Sequence, residues 1–173
     1  MKQNRHINKV AVIGSGIMGS RIACHFANIG VEVLLLDIVP FDLTEAQLKD
    51  KKIRNSIVND ALRGTLKSTP SPIYSKEFIN RITTGNLGDD LYKIADVDWI
   101  IEVVVERLDI KKQVFEKIEK FRKEGTLISS NTSGIPIESM IDGRSDDFKA
   151  HFCGTHFFNP PRYLKLLEII PTS

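Results

Sequence analysis

The chain has 173 residues, 42% of them hydrophobic and 27% charged, with a formal net charge of +2. That balance suits one soluble globular domain and gives no bulk positive charge for holding nucleic acid or a membrane surface. No apolar run is long enough to span a bilayer, and residues Met1 to Asn8 lack the apolar region of a signal peptide, so the chain reads as cytoplasmic.

In chain order, Lys9 to Ile13 is an apolar run that predicts a strand, and it leads directly into Gly14-Ser-Gly16-Ile17-Met18-Gly19. A helix is predicted over Ile17 to Asn28, closed by Gly30 as a left-handed cap. Gly14 allows the tight turn, Gly16 lets the backbone approach a pyrophosphate, and Gly19 lets helix pack closely on sheet. The free N–H groups and positive dipole end of the helix would face the phosphates. An ordinary glycine turn is the competing reading. Against it stand a second apolar strand from Val31 and the acid that ends it, Asp37, about 20 residues beyond the first glycine, where a ribose-binding carboxylate is expected. That carboxylate would repel a 2′-phosphate, and Ile38-Val39 offers no arginine to reverse the preference, so NAD is expected rather than NADP.

One long helix is predicted over Thr44 to Lys67, with Ile53, Ile57, Ala61, Leu62 and Leu66 on its buried face. Lys49, Lys51, Lys52, Arg54, Arg63 and Lys67 occupy the other face, which is either simply solvated or a landing strip for a phosphorylated substrate. Ser68 to Pro72 reads as a loop, Arg81 to Thr84 as a short strand, and Trp99 to Val105 as a central strand buried on both faces. Asp109 to Phe121 is amphipathic, with Ile110, Val114, Phe115 and Ile118 inward, and Thr126 to Ser130 is the next strand. Cys24 and Cys153 have no metal-ligand spacing and read as buried thiols, with no metal site implied. The last strands are Gly154 to Phe158 and, after the turn Asn159-Pro-Pro161, a returning strand over Tyr163 to Ile170. The alternation predicts an α/β, Rossmann-like doubly wound fold, its sheet mostly parallel with a final antiparallel strand.

Ligands of such sheets sit beyond the carboxyl ends of the strands. Glu102 lies inside the Trp99 to Val105 run, so Glu106, just past it, is the better candidate to face the cleft. The loop Asn131-Thr-Ser133-Gly-Ile-Pro136 offers small hydrogen-bonding groups, with plain turn chemistry as the other reading. The returning strand brings His156 and Glu168 together. A His–carboxylate pair suits oxidation of an alcohol: the imidazole takes the hydroxyl proton as hydride leaves, and the carboxylate orients the ring. A hydrogen-bonded core histidine is the alternative, and His6, His25 and His151 are given no role.

The stretches Val10 to Gly19, Ile101-Glu-Val-Val-Val-Glu106-Arg-Leu-Asp-Ile-Lys111, Ser130-Asn-Thr-Ser-Gly134 and Thr155-His-Phe-Phe-Asn-Pro160, followed by Leu-Leu-Glu168-Ile-Ile, together resemble the NAD-binding domain of L-3-hydroxyacyl-CoA dehydrogenase. The wording is nearest the forms in bacterial fatty-acid β-oxidation multienzymes. The resemblance implies His156 as catalytic base, Glu168 as its paired acid, Ser133 on the substrate's 3-oxygen and Asn131 lining the same pocket. It implies cofactor contacts for Glu106, Lys111 and Asp37, an acyl-CoA substrate, and CoA phosphates near the basic face of the 44–67 helix. Two positions depart from the pattern. Arg21 stands where relatives often have glycine, expected to touch a phosphate or point to solvent, and Gly134 replaces a frequent serine. The family continues into a helical C-terminal domain that closes over the acyl-CoA and forms a homodimer. Residues 1–173 are therefore expected to be the NAD(P)-binding half of such an enzyme. An NAD-binding module without turnover of its own and a dehydrogenase of another 3-hydroxy acid are the alternatives.

Overall fold

Strand β1 (Lys9–Ile13) alternates its side chains between two cores, and the whole architecture follows from that. Val10 and Val12 join one apolar cluster, Ala11 and Ile13 the other, and all four are fully buried. A strand apolar on both faces needs helices on both sides. In the computed structural model, which describes residues 5–172, they are supplied in turn.

Helix α1 (Ile17–Asn28) leads to β2 (Glu32–Asp37), then α2 (Glu45–Leu48), α3 (Lys51–Arg54) and α4 (Ser56–Leu66). A 3-10 turn (Lys76–Arg81) enters β3 (Ile82–Asn86), and another (Leu91–Asp96) enters β4 (Trp99–Glu102). Then follow α5 (Leu108–Phe121), β5 (Leu127–Asn131), α6 (Ile137–Ile141), α7 (Asp146–Ala150), β6 (Phe152–Phe157) and β7 (Leu167–Pro171). The seven strands form one sheet in the order β3-β2-β1-β4-β5-β6-β7. All neighbours are parallel except β6 and β7, so the expected doubly wound sheet with a final antiparallel strand is found. The chain turns outward in both directions from β1 and β4, and the crevice at their carboxyl ends is the switch point where such folds bind ligands. Among the described residues no helix is long and apolar enough to cross a membrane.

The predicted first helix has the predicted ends, and Gly30 takes the left-handed conformation with φ +92°. The single 44–67 helix is a misreading: that segment is three helices. Thr44 and Gln47 form a capping box that starts α2, and the Asp50 side chain accepts from the Lys52 amide to start α3. Asn55 is buried and its side chain accepts a 2.6 Å bond from Asn86. Short polar side chains that hydrogen-bond nearby backbone compete with continuous helix, and at Thr44 and Asp50 they win. The basic face is divided with it: Arg54 is tied to Asp89 at 2.5 Å and Arg63 to Asp60 at 2.8 Å. The central strand also ends earlier than predicted, at Glu102, because the backbone there turns away to carry the crevice wall. Likewise the returning strand begins only at Leu167, Tyr163 lying in the preceding turn. Cys24 is buried, Cys153 half-buried, and both are free thiols.

Candidate active site

The glycine turn is built by close approaches. Gly14 has φ +103°, and a Cβ there would lie 2.6 Å from the Val103 carbonyl oxygen. A Cβ on Gly19 would lie 1.8 Å from the Gly14 carbonyl oxygen, so β1 and α1 can meet only over glycine. Gly16 meets nothing within 4 Å: the space above it is free, as approach of a pyrophosphate requires. Beside this turn Asp37 accepts from the Ser15 amide at 2.6 Å, the Ser15 hydroxyl at 2.5 Å and the Ile38 amide at 2.7 Å. Those bonds aim the carboxylate and leave further lone pairs for ribose hydroxyls.

A cavity of about 770 Å³ opens here, lined by Gly14, Gly16, Ile17, Met18, Asp37, Glu106, Asn131 and Ser133, with Val104, Ile110 and Val114 as apolar wall. Two expected cofactor residues are absent from that lining. Gly19 lies behind the turn, and Lys111 is fully buried beneath the floor.

Of the expected proton-handling groups only Ser133 lines this cavity; His156 and Glu168 stand outside the lining, next to it. Antiparallel pairing of β6 with β7 sets His156 directly opposite Glu168. His156 Nδ1 is 2.7 Å from Glu168 Oε2, and its Nε2 is 3.3 Å from Ser133 Oγ. With the Nδ1 proton given to Glu168, Nε2 is left as an acceptor facing the serine. Asn131 Oδ1 accepts a 2.9 Å bond from the Phe157 amide, locking the end of β5 to the strand that carries His156.

Beneath the floor lies a network centred on Glu102, to which the sequence assigned no role. Glu102 and Lys111 are both 0% exposed, and Lys111 Nζ is 2.9 and 3.0 Å from the two Glu102 carboxylate oxygens. Ser130 Oγ donates to Glu102 at 2.5 Å. Burial pushes the Glu102 carboxyl above the ordinary glutamate range, against the pull of Lys111 and Ser130. Lys111 also lies 3.3 Å from Glu106 Oε2. The other Glu106 oxygen accepts from the Thr132 hydroxyl and from the amides of Ser133 at 3.1 Å and Gly134 at 3.3 Å. Partial burial opposes ionisation of Glu106, but the Thr132 hydroxyl, the Ser133 amide and Lys111 outweigh it and hold the carboxyl below the ordinary range. A glutamate inside Trp99-Ile-Ile-Glu-Val-Val-Val was the available signal, since a buried carboxylate demands a partner. Arg21 borders a surface depression with Ser15, Gly16 and Ile17, and its guanidinium donates to Asn159 Oδ1 at 2.6 Å.

Among the described residues no group of three His, Cys, Asp or Glu side chains is placed to hold a metal ion. The family model described as "3-hydroxyacyl-CoA dehydrogenase, NAD binding domain" matches residues 9–173. A Bacillus subtilis protein named as a probable 3-hydroxyacyl-CoA dehydrogenase is 55% identical over 97% of this chain, which spans 22% of that protein. A Rickettsia felis protein, whose name describes the trifunctional enzyme of a fatty acid oxidation complex, is 46% identical over 96% of the chain, again 22% of its own length. The crystal structure of 3-hydroxybutyryl-CoA dehydrogenase from Escherichia coli K12 superimposes with TM-score 0.69 and 30% identity, covering 95% of this chain and 32% of that one.

Proposed function

This chain belongs to the family of 3-hydroxyacyl-CoA dehydrogenase NAD-binding domains, with NAD as its cofactor, and we propose that it supplies the cofactor-binding and proton-transfer half of an enzyme that interconverts L-3-hydroxyacyl-CoA and 3-oxoacyl-CoA in fatty-acid β-oxidation. The observation that carries this reading is the line from Ser133 Oγ through His156 to Glu168, with contacts of 3.3 and 2.7 Å, which starts at a residue lining the cavity that also holds Gly16.

His156 Nε2 removes the proton of the substrate 3-hydroxyl while Ser133 Oγ hydrogen-bonds the same oxygen. When bound, NAD accepts the hydride that leaves carbon 3. Glu168 fixes the ring's tautomer and stabilises its charged form, and proton transfer by a base so positioned contributes roughly 10²- to 10⁴-fold. Asp37 takes the adenosine ribose hydroxyls, Glu106 and Asn131 border the nicotinamide end, and Lys111 acts on the cofactor side from below, through Glu106.

The chain spans about a fifth of the length of the two relatives described above. We therefore assign the remainder of the site to a further, helical domain that covers the acyl-CoA and carries the homodimer contacts, in a cytoplasmic enzyme. Leu164, Leu166, Ile169 and Ile170 are exposed beside the catalytic pair and support such a covering. The open mouth, with Glu168 half exposed, also supports a second reading in which the chain alone binds NAD without turnover.

NADH oxidation is measured with a 3-oxoacyl-CoA and with the matching free 3-oxo acid. The proposal expects consumption with the thioester only. Equal rates with the free acid would move the protein to dehydrogenases of other 3-hydroxy acids, and NADH binding with no oxidation of either would favour the binding module.

A further inference from the structure

We infer that Glu102 is a positioning residue for the reaction: through Lys111 and Glu106 it sets the loop that holds Ser133 against His156. The inference rests on the reading of Ser133 and His156 given above.

Three observations carry it. Glu102 is the last residue of β4 and is paired to Ile13 on one side and Ser130 on the other, so it stands in the most rigid part of the sheet. Its carboxylate is locked there by the Val104 amide at 2.7 Å and by Ser130 Oγ at 2.5 Å. The flanking residues Ile100, Ile101 and Val103 show that the strand would accept an apolar side chain at this place. Burying a charge there opposes stability unless its partner is held in good geometry. The partner is Lys111, one turn into α5, which reaches both Glu102 oxygens.

From Lys111 the contacts run in one direction. Its ammonium is 3.3 Å from Glu106 Oε2, and that contact leaves Oε1 facing the loop. Oε1 gathers three donors from three successive residues, Thr132, Ser133 and Gly134. Thr132 Oγ1 in turn accepts from the Ile135 amide, which closes the turn. Ser133 itself is exposed. Its position is set by its amide on Glu106, and Glu106 is oriented by a lysine that Glu102 fixes. Without the Glu102 charge, the ammonium is drawn to Glu106 and competes with the loop amides for that carboxylate.

The test is Glu102→Gln, which keeps the shape and removes the charge. Amide hydrogen exchange is followed at Ser133 and Gly134 and across β4 and β5, alongside NADH affinity and the kcat and KM for a 3-oxoacyl-CoA. Exchange at the two loop amides should quicken about tenfold, as expected for loss of one net hydrogen bond. The strand amides should be unchanged. kcat should fall about tenfold, with NADH affinity held within about twofold. Uniformly faster exchange through β4 and β5, or an unmoved loop with unchanged kcat, would overturn the inference by leaving Glu102 a structural or inert role. Should Glu102→Gln fail to fold, the double change Glu102→Leu with Lys111→Met removes both charges together, and a loop as protected as in the unmodified protein would overturn it equally. Absence of turnover in the unmodified protein would favour the binding-module reading, while the exchange rates still decide the role of Glu102.

Discussion

His156 can serve as a base only when one ring nitrogen is free, and Glu168 arranges this by taking the other at 2.7 Å. The pairing was readable because two strands joined by a turn place residues opposite one another at fixed register, and a histidine and a glutamate 12 positions apart met that condition. Asp37 was readable for a similar reason, as the acid that ends the second strand. Its two oxygens already accept from Ser15 and Ile38, so ribose hydroxyls would complete a carboxylate that is aimed in advance. Asp37→Ala should weaken NADH about tenfold or more, since hydrogen bonds to a charged group contribute about 1.5–3 kcal/mol, and should leave NADPH little changed. Parallel titrations check this; an unchanged NADH-to-NADPH ratio would remove Asp37 from the ribose. The Glu102–Lys111 pair was not assembled from sequence, because its partners come from β4, α5 and β5 and only packing brings them together. The Arg21–Asn159 bond was unreadable for the same reason: the two residues are 138 positions apart.

At the scale of elements, periodicity identified every strand of the sheet but not the breaks within the polar stretch after β2. Apolar spacing over Ile53, Ile57 and Ala61 reads as one helix, whereas Asp50 interrupts it with a local hydrogen bond to the Lys52 amide and Asn55 with a long-range bond to Asn86, neither of which disturbs the spacing. The broken segment is held to the sheet by ionic contacts. Arg54 on α3 donates to both Asp89 oxygens, and Asn86 at the end of β3 donates to the same carboxylate. The Arg54 bond first, and the Asn86 bond second, bring the Asp89 carboxyl down to about 2 from its ordinary 3.8. A carboxyl depressed in the folded state adds stability that is present above the unfolded value and lost as pH falls through the folded one. Asp89→Asn should therefore lower Tm at neutral pH and remove part of the acid sensitivity between about pH 4 and pH 2. Melting curves across that range check it, and parallel Tm–pH profiles for the two proteins would show that Asp89 contributes nothing there. Solvent screening at a side chain 36% exposed keeps the effect small.

For the whole molecule, the switch point between β1 and β4 puts the cavity where alternating strands and helices predicted it, since right-handed crossovers leave few other places for a cleft. What sequence could not give was the balance of covered and open surface. β7 closes the sheet with Ile169 66% exposed, next in sequence to Glu168, and Leu166 before it is 60% exposed. Contiguous apolar exposure of this kind marks a contact surface. Replacing Leu166 and Ile169 by serine should reduce self-association of this chain in sedimentation experiments and leave NADH affinity intact. Unaltered self-association would show that other surfaces drive it.

The central claim is that His156 is the base of a hydride-transfer reaction on an acyl-CoA. The most direct measurement is NADH oxidation with a 3-oxoacyl-CoA by the protein and by His156→Gln, with NADH affinity determined for both. The account predicts unchanged NADH affinity and a rate lower by roughly 10²- to 10⁴-fold in the variant. A variant that oxidises NADH as fast as the unmodified protein would contradict it.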